Sequence, residues 1–356
     1  MPIHYTVDAA VLAQDTPEIL NLWLSNLPGY DAQNAKAKLQ LGYVGNPAGA
    51  SQILLLRAQD AGSTTFTAQG TQGLHARRFV LGPQTLNVAS LADLVVNAEH
   101  RSLGPALMLM RRSVELAEAG HDLIYGLPNE RAAAVCARAG LRPLGNVQRY
   151  AKPLASREKL GERVPAWLAM LVAPLVDRAL TLRDGWRGSK LGLRLTCRSC
   201  SWNDPALDDV WARRAPELLL SDRSAAMLRW RFDGSRLPQS TPRWEICVAH
   251  DASSAVQGYA VWRQTDGFIE VGDFFVKDVA QHLAPMMLGF ARYAKRHHAV
   301  SVSVEFFGDS RVVQGLLAAG LHVRADQSPV FIGAATPPAL SDPSQWYFTA
   351  FDNDAD

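Results

Sequence analysis

Apolar and polar residues alternate along the first half of the chain in blocks that predict strands and helices in turn. Residues from about Thr16 to Leu27 carry apolar side chains at helical spacing, with Asp15 or Thr16 as the predicted cap. Residues 60–71 are rich in Gly, Ser and Thr, which predicts a hairpin loop. The short apolar runs that we predict as strands span residues 53–56, 78–81, 86–96 and 142–151.

The stretch over residues 91–140 is the most informative part of the sequence. An apolar run ends at Val96, a polar loop follows to His100, and a helix opens near Gly104. A second apolar run at residues 122–125 and a helix from about Asn129 complete a βαβ unit. The amides at the N-terminus of the first helix can bind an anion, and we expect a pyrophosphate there.

The loop in this unit resembles the coenzyme A loop of the GNAT acyl-CoA acyltransferases. Its residues Arg101-Ser102-Leu103-Gly104-Pro105-Ala106 are similar to motif A of that family, Q/R-x-x-G-x-G/A. The helix that opens at Asn129 and closes at Gly140-Leu141 is similar to the family's second signature. The resemblance covers about residues 51–153 and implies that an acyl-CoA binds here. The residues that it places at this co-substrate are Leu94, Val95, Val96, Arg101, Ser102, Leu103, Gly104, Ala106 and Asn129.

The resemblance also implies candidate catalytic residues, since acyl transfer needs a neutral amine, a polarised thioester and an acid for the leaving thiolate. Asp93, on the strand before the loop, is the candidate proton acceptor, although the recurrence of Asp273 in the second half fits a structural role equally well. In the family the acid is often a tyrosine seven residues after the helix-opening asparagine, and Cys136 stands at that position. We interpret Cys136 as an acid or, in preference, a packing residue. Tyr125 and Tyr150 are alternative acids if their hydroxyls face the cleft.

The second half of the chain repeats the first at a constant offset. Asp93 aligns with Asp273, 180 positions later, and Arg131 aligns with Arg311 at the same offset. Roughly fifty residues align without a gap, which composition alone rarely produces. We infer a tandem duplication of one α/β domain with a mixed sheet. In the second copy we predict helices at 204–220, 221–230, 285–297 and from 310, and strands at 244–248, 257–262, 268–276 and 300–306.

The two copies differ in the motif that the resemblance identifies. In place of Arg101-x-x-Gly104-x-Ala106 the second copy has Gln281, Ala284 and Met286. The loop loses the glycine that lets backbone approach a phosphate, and the methionine is expected to add bulk where the ligand would lie. An aspartate, Asp309, stands where the first copy has its helix-opening asparagine. We therefore predict that only the N-terminal copy binds acyl-CoA, while the C-terminal copy supports the fold or shapes the acceptor cleft.

Length and composition fit two globular domains. The chain has 356 residues, of which 48% are hydrophobic and 20% are charged, an ordinary globular composition. A formal net charge of +2 argues against nucleic acid as a partner. We predict an N-terminal domain over residues 1–153, a helical connector over 154–200, a C-terminal domain over 201–337 and a tail over 338–356.

Cysteine usage and apolar runs indicate the setting of the protein. Four cysteines are too few for a disulfide framework and no secretory signal is visible, so we predict a reduced, cytoplasmic setting. Cys197 and Cys200 have CxxC spacing, but no second pair completes four zinc ligands, and we predict no metal. The longest apolar run, residues 164–176, is too short to span a bilayer. We interpret it as a buried helix or a packing element between domains in preference to a membrane-surface helix.

These features together predict an acyl-CoA-dependent N-acyltransferase, most simply an acetyltransferase. The acceptor is expected to be an amine, or a hydroxyl, of a small molecule, glycan or peptide that attacks the thioester directly in a ternary complex. One alternative is a Fem-type transferase, which resembles two fused GNAT domains and uses aminoacyl-tRNA; the near-neutral charge argues against it. The other alternative is a non-catalytic acyl-CoA sensor or scaffold, which the missing tyrosine favours.

Overall fold

The computed structural model describes residues 3–27, 29–59, 64–161, 164–234 and 243–353. Its strands are β1 (His4–Ala9), β2 (Gln52–Gln59), β3 (Thr67–Leu81), β4 (Gln84–Val96), β5 (Leu123–Gly126), β6 (Leu141–Pro153), β7 (Thr196–Ser199), β8 (Leu219–Ser221), β9 (Glu245–His250), β10 (Val256–Thr265), β11 (Phe268–Val276), β12 (Ser301–Gly308), β13 (His322–Gly333) and β14 (Trp346–Phe348). Its α-helices are α1 (Leu12–Asn26), α2 (Ala32–Lys38), α3 (Leu103–Gly120), α4 (Glu130–Arg138), α5 (Arg157–Gly161), α6 (Ala166–Lys190), α7 (Ala206–Ala212), α8 (Ala225–Phe232), α9 (Val279–Arg296) and α10 (Ser310–Ala318). A π-helical turn spans Leu39–Val44, and short 3-10 helices span Ala98–His100, Pro338–Leu340, Pro343–Gln345 and Ala350–Asp352.

The described strands form one mixed sheet that runs through both halves of the chain. Its main path has the order β1-β2-β3-β4-β5-β13-β6-β12-β11-β10-β9-β7. Counted outward from the centre of the sheet, β5 and β4 of the first half occupy the same positions as β12 and β11 of the second half. The helices α4 and α10 start at Glu130 and Ser310, so the offset of the sequence repeat holds in the structure. The predicted α/β fold with two copies of one unit is confirmed.

The two halves exchange strands at the centre of the sheet. β13, from the second half, lies between β5 and β6, and β6, from the first half, lies between β13 and β12. The antiparallel register of β6 and β13 runs from Ala151 opposite His322 to Leu141 opposite Gly333. Each half therefore completes its sheet with a strand of the other, which leaves no open edge between them.

The predicted domain boundaries at residues 153, 200 and 337 stay a prediction, but the strand exchange crosses them in space. β7 lies within the segment predicted as a connector, and it pairs with β9 at the outer edge of the second half. Most of the remaining connector forms the long helix α6. The predicted intervals therefore follow the order of segments along the chain, but they do not correspond to separate domains in space.

Apolar helices cover both faces of the first half of the sheet. In β2, Ile53 and Leu55 pack with Trp23 of α1, whereas Leu54 and Leu56 pack with Leu109 of α3. Alternate residues of a strand point to opposite faces, so a strand buried on both faces is apolar at every position. This explains why the sequence shows a continuous apolar run there instead of an alternating one.

Several predicted elements of the chain differ in their bounds. Helix α1 begins at Leu12, so Asp15 lies inside its first turn and is not its cap. From there the Asp15 carboxylate accepts a hydrogen bond from Val11 N at 2.7 Å. The helix predicted over residues 204–220 ends at Ala212, and β8 follows it between β3 and β14. In the predicted hairpin loop, residues 60–63 lie outside the described residues.

The apolar run at residues 164–176 forms the first part of α6, but one face of this helix is exposed. Ala169 and Ala173 are buried, whereas Leu171 and Leu175 are 64% and 70% exposed. The expected buried helix is therefore wrong for the outward face, because the small residues pack against the protein and the large ones do not. None of the helices that the structure describes combines the length and apolar character needed to cross a membrane.

The C-terminal tail packs inside the second half of the protein. Its strand β14 pairs antiparallel with β12 and parallel with β8. The guanidinium of Arg223 is fully buried and lies 2.7 Å from Asp352 Oδ2 and 3.2 Å from Asp273 Oδ1. The hydroxyls of Thr349 and Tyr259 each donate a hydrogen bond to Asp273 at 2.7 Å. This buried network ties the tail to the sheet.

We predict that Arg223→Met lowers the free energy of unfolding by about 3–5 kcal/mol, because it leaves two carboxylates in the interior without their cation while keeping most of the side-chain volume. Urea unfolding measures the change. The matched control is Arg229→Met in the helix that follows, α8, where the exposed arginine bonds to the exposed Asn203 side chain and the loss is expected to stay below about 1 kcal/mol. Equal losses in the two variants would contradict a buried ion-pair network.

Candidate functional site

A cleft opens in the first half of the sheet where β4 and β5 stop pairing. The two parallel strands pair from Val88 opposite Leu123 to Leu91 opposite Gly126. Beyond that point they diverge around a cavity of about 360 Å³, a volume typical of small-molecule sites. The polar residues that line it are Tyr30, Lys38, Gln72, Asp93, Asn129 and Cys136.

A β-bulge in β4 supplies one wall of the cleft. β4 pairs with β3 through Ala92 and again through Val95, so Asp93 and Leu94 stand outside the regular register. Asp93 has a φ of 54°, a left-handed conformation that is unusual for a residue other than glycine. Asp93 and Leu94 line the cleft, whereas the side chains of Val95 and Val96 are buried in apolar clusters. Contacts of Val95 and Val96 with a ligand are therefore restricted to their backbone.

The Asp93 carboxylate is held by two side chains from the N-terminal helical region. Lys38 Nζ lies 2.7 Å from Oδ1, and the Tyr43 hydroxyl donates to Oδ2 at 2.6 Å. Burial by itself lowers the pKa of Lys38, but the charges of Asp93 and Tyr30 and the hydrogen bonds to their side chains together outweigh burial and raise that pKa above its usual value. Because both carboxylate oxygens already have donors, these contacts favour a structural role for Asp93 over the predicted proton acceptor.

His75 lies behind this ion pair in the protein interior. Its Nε2 is 3.7 Å from Asp93 Oδ2, and its ring packs edge-on against Tyr43 with ring centroids 4.5 Å apart. Burial lowers the pKa of His75 to about 3, although the charge of Asp93 opposes the shift. The imidazole is therefore neutral in the folded protein at pH values near neutrality.

Gln72 lines the cleft and has an acceptor atom without a partner. Its Nε2 donates to the carbonyls of Ala92 at 2.6 Å and Gly73 at 3.2 Å. These contacts fix the orientation of the amide, because the reversed amide would place its oxygen against two carbonyl oxygens. Oε1 is buried and has no hydrogen-bond partner among the residues that the structure describes. It is therefore a buried acceptor for which the described residues supply no donor.

Of the candidate acids, Cys136 alone lines the cleft. Burial raises the pKa of its thiol to about 12. A thiol that holds its proton so strongly is a poor proton donor to a thiolate with an ordinary pKa of about 8.5. Tyr125 is fully buried elsewhere, and its hydroxyl donates to the Asp352 carbonyl at 2.8 Å. Tyr150 is buried in the apolar core of the second half. The structure thus places both tyrosines outside the cleft lining, in packing positions.

The helix α3 begins at the predicted anion loop with its first turn uncapped by a side chain. Its N-cap residue, Ser102, makes no side-chain hydrogen bond to the helix amides. Gly104 is exposed with an ordinary helical backbone, and a Cβ added to it would meet nothing within 4 Å. Neither strain nor packing therefore requires glycine here, and the open space is free for a ligand. The predicted residues Ser102, Leu103, Gly104 and Ala106 all lie in or next to this turn.

Two other predicted cofactor residues, Arg101 and Asn129, make hydrogen bonds that stabilise the backbone around the site. Arg101 folds back, with Nε donating to Val96 O at 3.2 Å and Nη2 donating to Asn26 Oδ1 at 3.0 Å. Asn26 in turn donates to Asn97 Oδ1 at 2.8 Å, so the loop before α3 is fastened to α1. Asn129 is the N-cap of α4, and its side-chain oxygen accepts a backbone hydrogen bond at 3.0 Å. Direct contacts of Arg101 and Asn129 with a ligand stay a prediction.

Comparison with known proteins adds evidence at the level of the fold. No family model and no curated protein sequence matches the chain. A GCN5-related N-acetyltransferase from Anabaena variabilis ATCC 29413 has a TM-score of 0.60 at 14% identity, with 93% of this chain and 72% of that chain covered. A tandem GNAT protein from the clavulanic acid biosynthesis pathway has a TM-score of 0.52 at 15% identity, with 94% and 99% covered. Saccharomyces cerevisiae N-myristoyltransferase, solved with bound myristoyl-CoA, has a TM-score of 0.52 at 10% identity, with 94% and 80% covered.

The chain has the GNAT fold in two tandem copies. Matches of this kind rest on shape, because the identities lie between 10% and 15% in these three structures. They agree with the α/β architecture, the duplicated elements and the sheet that continues through both copies.

The second GNAT copy differs at the anion loop, for reasons that only partly match the prediction. Its helix α9 starts one turn earlier than the repeat offset predicts, and the Asp278 carboxylate caps it by accepting from Gln281 N at 3.0 Å. A negative side chain thus stands where the first copy leaves helix amides uncapped. Met286 is fully buried in the core, so the expectation that it adds bulk at the ligand position is wrong. Asp309 caps α10 and is paired with the Arg311 guanidinium at 2.8 Å.

The C-terminal tail fills the split of the second GNAT copy. β11 and β12 pair as far as Val271 opposite Val304 and then part, as β4 and β5 do. β14 lies beside β12 beyond this point, with Tyr347 opposite Gly308. The Tyr347 hydroxyl donates to Phe274 O on β11 at 2.6 Å, so the tail bridges the two parted strands. The space that is an open cleft in the first copy is occupied by the protein's own chain in the second.

Sequence reasoning missed the polar residues from outside the βαβ unit that complete the cleft. They are Tyr30, Lys38, Tyr43 and Gln72. Lys38 ends a polar segment, and Gln72 directly follows the predicted hairpin loop. Neither residue belongs to a motif. The available signal was that each is a polar residue close to a predicted core element.

We predict that His75 makes the protein less stable in mild acid. The folded state keeps this imidazole neutral down to about pH 3, whereas the unfolded state protonates it below about pH 6.5, so stability falls as pH drops through that window. Between about pH 7 and about pH 5, the wild type is expected to lose about 2 kcal/mol more of its free energy of unfolding than His75→Gln. Denaturant unfolding at the two pH values measures this, and identical pH slopes would contradict a buried neutral histidine.

Proposed function

We propose that the protein is an acyl-CoA-dependent acyltransferase that moves an acyl group from coenzyme A to an amine, with its active site in the N-terminal copy. The observation that carries this proposal is the cleft between β4 and β5. One of these strands, β4, leads into the first turn of α3, which no side chain caps. Structures with the same fold include an N-acetyltransferase and an N-myristoyltransferase with bound myristoyl-CoA. An acetyl donor and an amine acceptor are the simplest assignment, and a hydroxyl acceptor uses the same geometry.

The donor is assigned to the outer end of the cleft. The first-turn amides of α3 hold its pyrophosphate, because Ser102 leaves them uncapped and Gly104 lets the phosphates approach the backbone. The pantetheine arm lies along β4 where β5 has parted from it. The backbone amides of Asp93 and Leu94, which stand outside the register with β3, are placed to polarise the thioester carbonyl.

The bulge that carries these amides is fastened from several sides, and this is the role we assign to Asp93. Its side chain is bound by Lys38 and Tyr43, and its carbonyl accepts from the Thr71 hydroxyl at 3.0 Å. The ion pair is almost fully buried, with side-chain exposures of 10% for Lys38 and 4% for Asp93. A bulge held in this way keeps its amides oriented before the substrate arrives, so no reorganisation is needed during the reaction.

The acceptor is assigned to the inner part of the cleft. Gln72 Oε1 accepts a hydrogen bond from the attacking amine and orients its lone pair toward the thioester carbon. As the carbon–nitrogen bond forms and the carbon–sulfur bond breaks, the thiolate takes a proton from the Tyr30 hydroxyl, and the proton released by the amine returns to Tyr30 through water. Tyr30 is the tyrosine of the described cleft lining, and Lys38 Nζ lies 5.5 Å from its ring centroid.

A cytoplasmic setting is part of the same proposal. All four cysteines of the chain are free thiols in the structure, and three of them are buried. Free thiols persist in a reducing compartment, which is also where acyl-CoA donors for this reaction are expected. The second copy is assigned a supporting role, because its anion loop is capped by Asp278 and its split is filled by the tail.

We predict that Gly104→Glu weakens acetyl-CoA binding at least about tenfold, because a carboxylate at the helix N-terminus opposes the pyrophosphate. Isothermal titration calorimetry measures the affinity. Gly120→Glu is the matched control, since Gly120 ends the same helix and also has open space at its Cβ position. No binding by the wild type, or equal affinities for wild type and Gly104→Glu, would count against the proposed donor site.

We predict that Tyr30→Phe lowers turnover at least about a hundredfold while leaving acetyl-CoA affinity unchanged, because it removes a proton donor and keeps the ring. Cys136→Ala is expected to stay within about threefold of the wild type, because its thiol is a poor proton donor. Release of free coenzyme A with a panel of amines measures turnover. Donor binding without turnover of any amine would replace the enzyme with a binding protein, and loss of activity in Cys136→Ala alone would reassign the acid.

A further inference from the structure

The outward face of α6 exposes large apolar side chains along most of its length. Trp167, Leu171, Leu175, Leu182 and Trp186 have exposed fractions between 60% and 70%. Their spacings of four, four, seven and four residues keep them on one side of an α-helix, and we call this set the α6 stripe. It extends for about 28 Å along the helix. Single exposed leucines are ordinary on a protein surface, but a continuous apolar stripe of this length marks an interaction surface.

The opposite face of α6 carries the groups that usually face water. Asp184 lies 2.7 Å from the buried Lys152 ammonium, and Asp177 accepts a hydrogen bond from Ser156 N at 2.8 Å. Ala169 and Ala173 are buried on the same side. The helix therefore docks on the protein through acidic and small residues and turns its large apolar residues outward. Packing within the described chain does not account for the stripe.

The charges on the exposed side of α6 are basic. Residues 164–194 contain five arginines and lysines and two acids, and both acids are engaged on the inward face. Arg178 lies on the stripe between Leu175 and Leu182, while Arg183 and Lys190 are exposed beside it. The Lys190 ammonium stands 3.7 Å from the Trp186 ring centroid. An apolar strip bordered by cations is complementary to a surface that is both apolar and anionic.

We propose that the α6 stripe docks the protein on an anionic lipid surface, with α6 lying in the plane of the interface. Trp167 and Trp186 at the two ends of the stripe have amphipathic rings that favour the boundary between head groups and acyl chains. Basic residues beside such a stripe pair with anionic head groups. This inference does not depend on the acyltransferase assignment, because it uses no residue of the cleft.

A second copy of the chain fits the stripe less well than a lipid surface does. In a symmetric antiparallel pair of α6 helices, residues near the midpoint of the stripe face their own counterparts. Arg178 lies close to that midpoint, so the pair would bring two guanidinium groups together within an apolar contact. Like charges opposed in this way disfavour association, whereas an anionic head group neutralises the same side chain.

Co-sedimentation of the full chain with vesicles tests the proposal. Binding is expected to vesicles of equal parts phosphatidylserine and phosphatidylcholine, to weaken with salt, and to be much lower with phosphatidylcholine alone. Leu175→Glu is expected to reduce binding at least about tenfold. Val11→Glu is the matched control, because Val11 is 53% exposed and lies in the first half of the chain, and it should bind like the wild type. Circular dichroism of both variants verifies that they fold.

The outcomes separate the possible occupants of the stripe. Absence of wild-type binding to anionic vesicles, or equal binding by Leu175→Glu, overturns the proposal. Self-association that Leu175→Glu abolishes, without vesicle binding, assigns the stripe to a second copy and also overturns it. Arg178→Ala keeps the apolar strip and is expected to reduce the preference for anionic over neutral vesicles, so an unchanged preference contradicts the electrostatic part of the argument.

Discussion

The exchange of β6 and β13 is the constraint on which the rest of the structure depends. β5 is a short strand, and beyond Gly126 it has lost its partner on the β4 side. On its other side it is held by β13, with Phe331 opposite Gly126 and Ile332 opposite Tyr125. The strand that bounds the cleft in the first copy is therefore positioned by hydrogen bonds from the second copy. A split in a sheet can stay open only if both strands beside it are fixed elsewhere, and the exchange provides this for β5.

The split between two parallel strands stays open in the first copy and is filled in the second. Next to β5 it is lined by Lys38 and the bulged end of β4 and stays open. Next to β12 it receives β14, and Arg223 pairs with the carboxylates of both Asp273 and Asp352 in the interior. Buried charges need partners, and the filled second split supplies them through this ion-pair network. Duplication has thus produced one open cleft and one closed support, and the closed copy contributes the strand that holds β5.

The βαβ order and the helices α4 and α10 could be predicted because they rest on local patterns of apolar residues, and the repeat offset could be predicted because matching residues recur 180 positions apart. The strand exchange and the role of the tail could not, because a strand pattern does not state its neighbour in the sheet. Trp346 and Tyr347 lie in the segment that the sequence predicts only as a tail, yet both are buried. In the site, the loop at Gly104 was visible as a motif, whereas Lys38 and Gln72 reach the cleft only through folding of separate segments. The leucines of α6 misled in the other direction, since the apolar run predicted burial for Leu171 and Leu175, which face outward.

The two copies also allow the role of the bulge aspartate to be argued from within one chain. Asp93 and Asp273 stand at equivalent positions beside β-bulges, and each is bound by a cation and a tyrosine hydroxyl. Asp273 is sealed from solvent and from any ligand by the tail, so its carboxylate cannot exchange a proton with a substrate. The feature that the two aspartates share is therefore attachment of the bulged strand to its surroundings. In the first copy this attachment faces a cleft. Among the described residues, the first copy has no strand equivalent to β14, and this is the physical difference between its candidate active site and the structural bulge of the second copy.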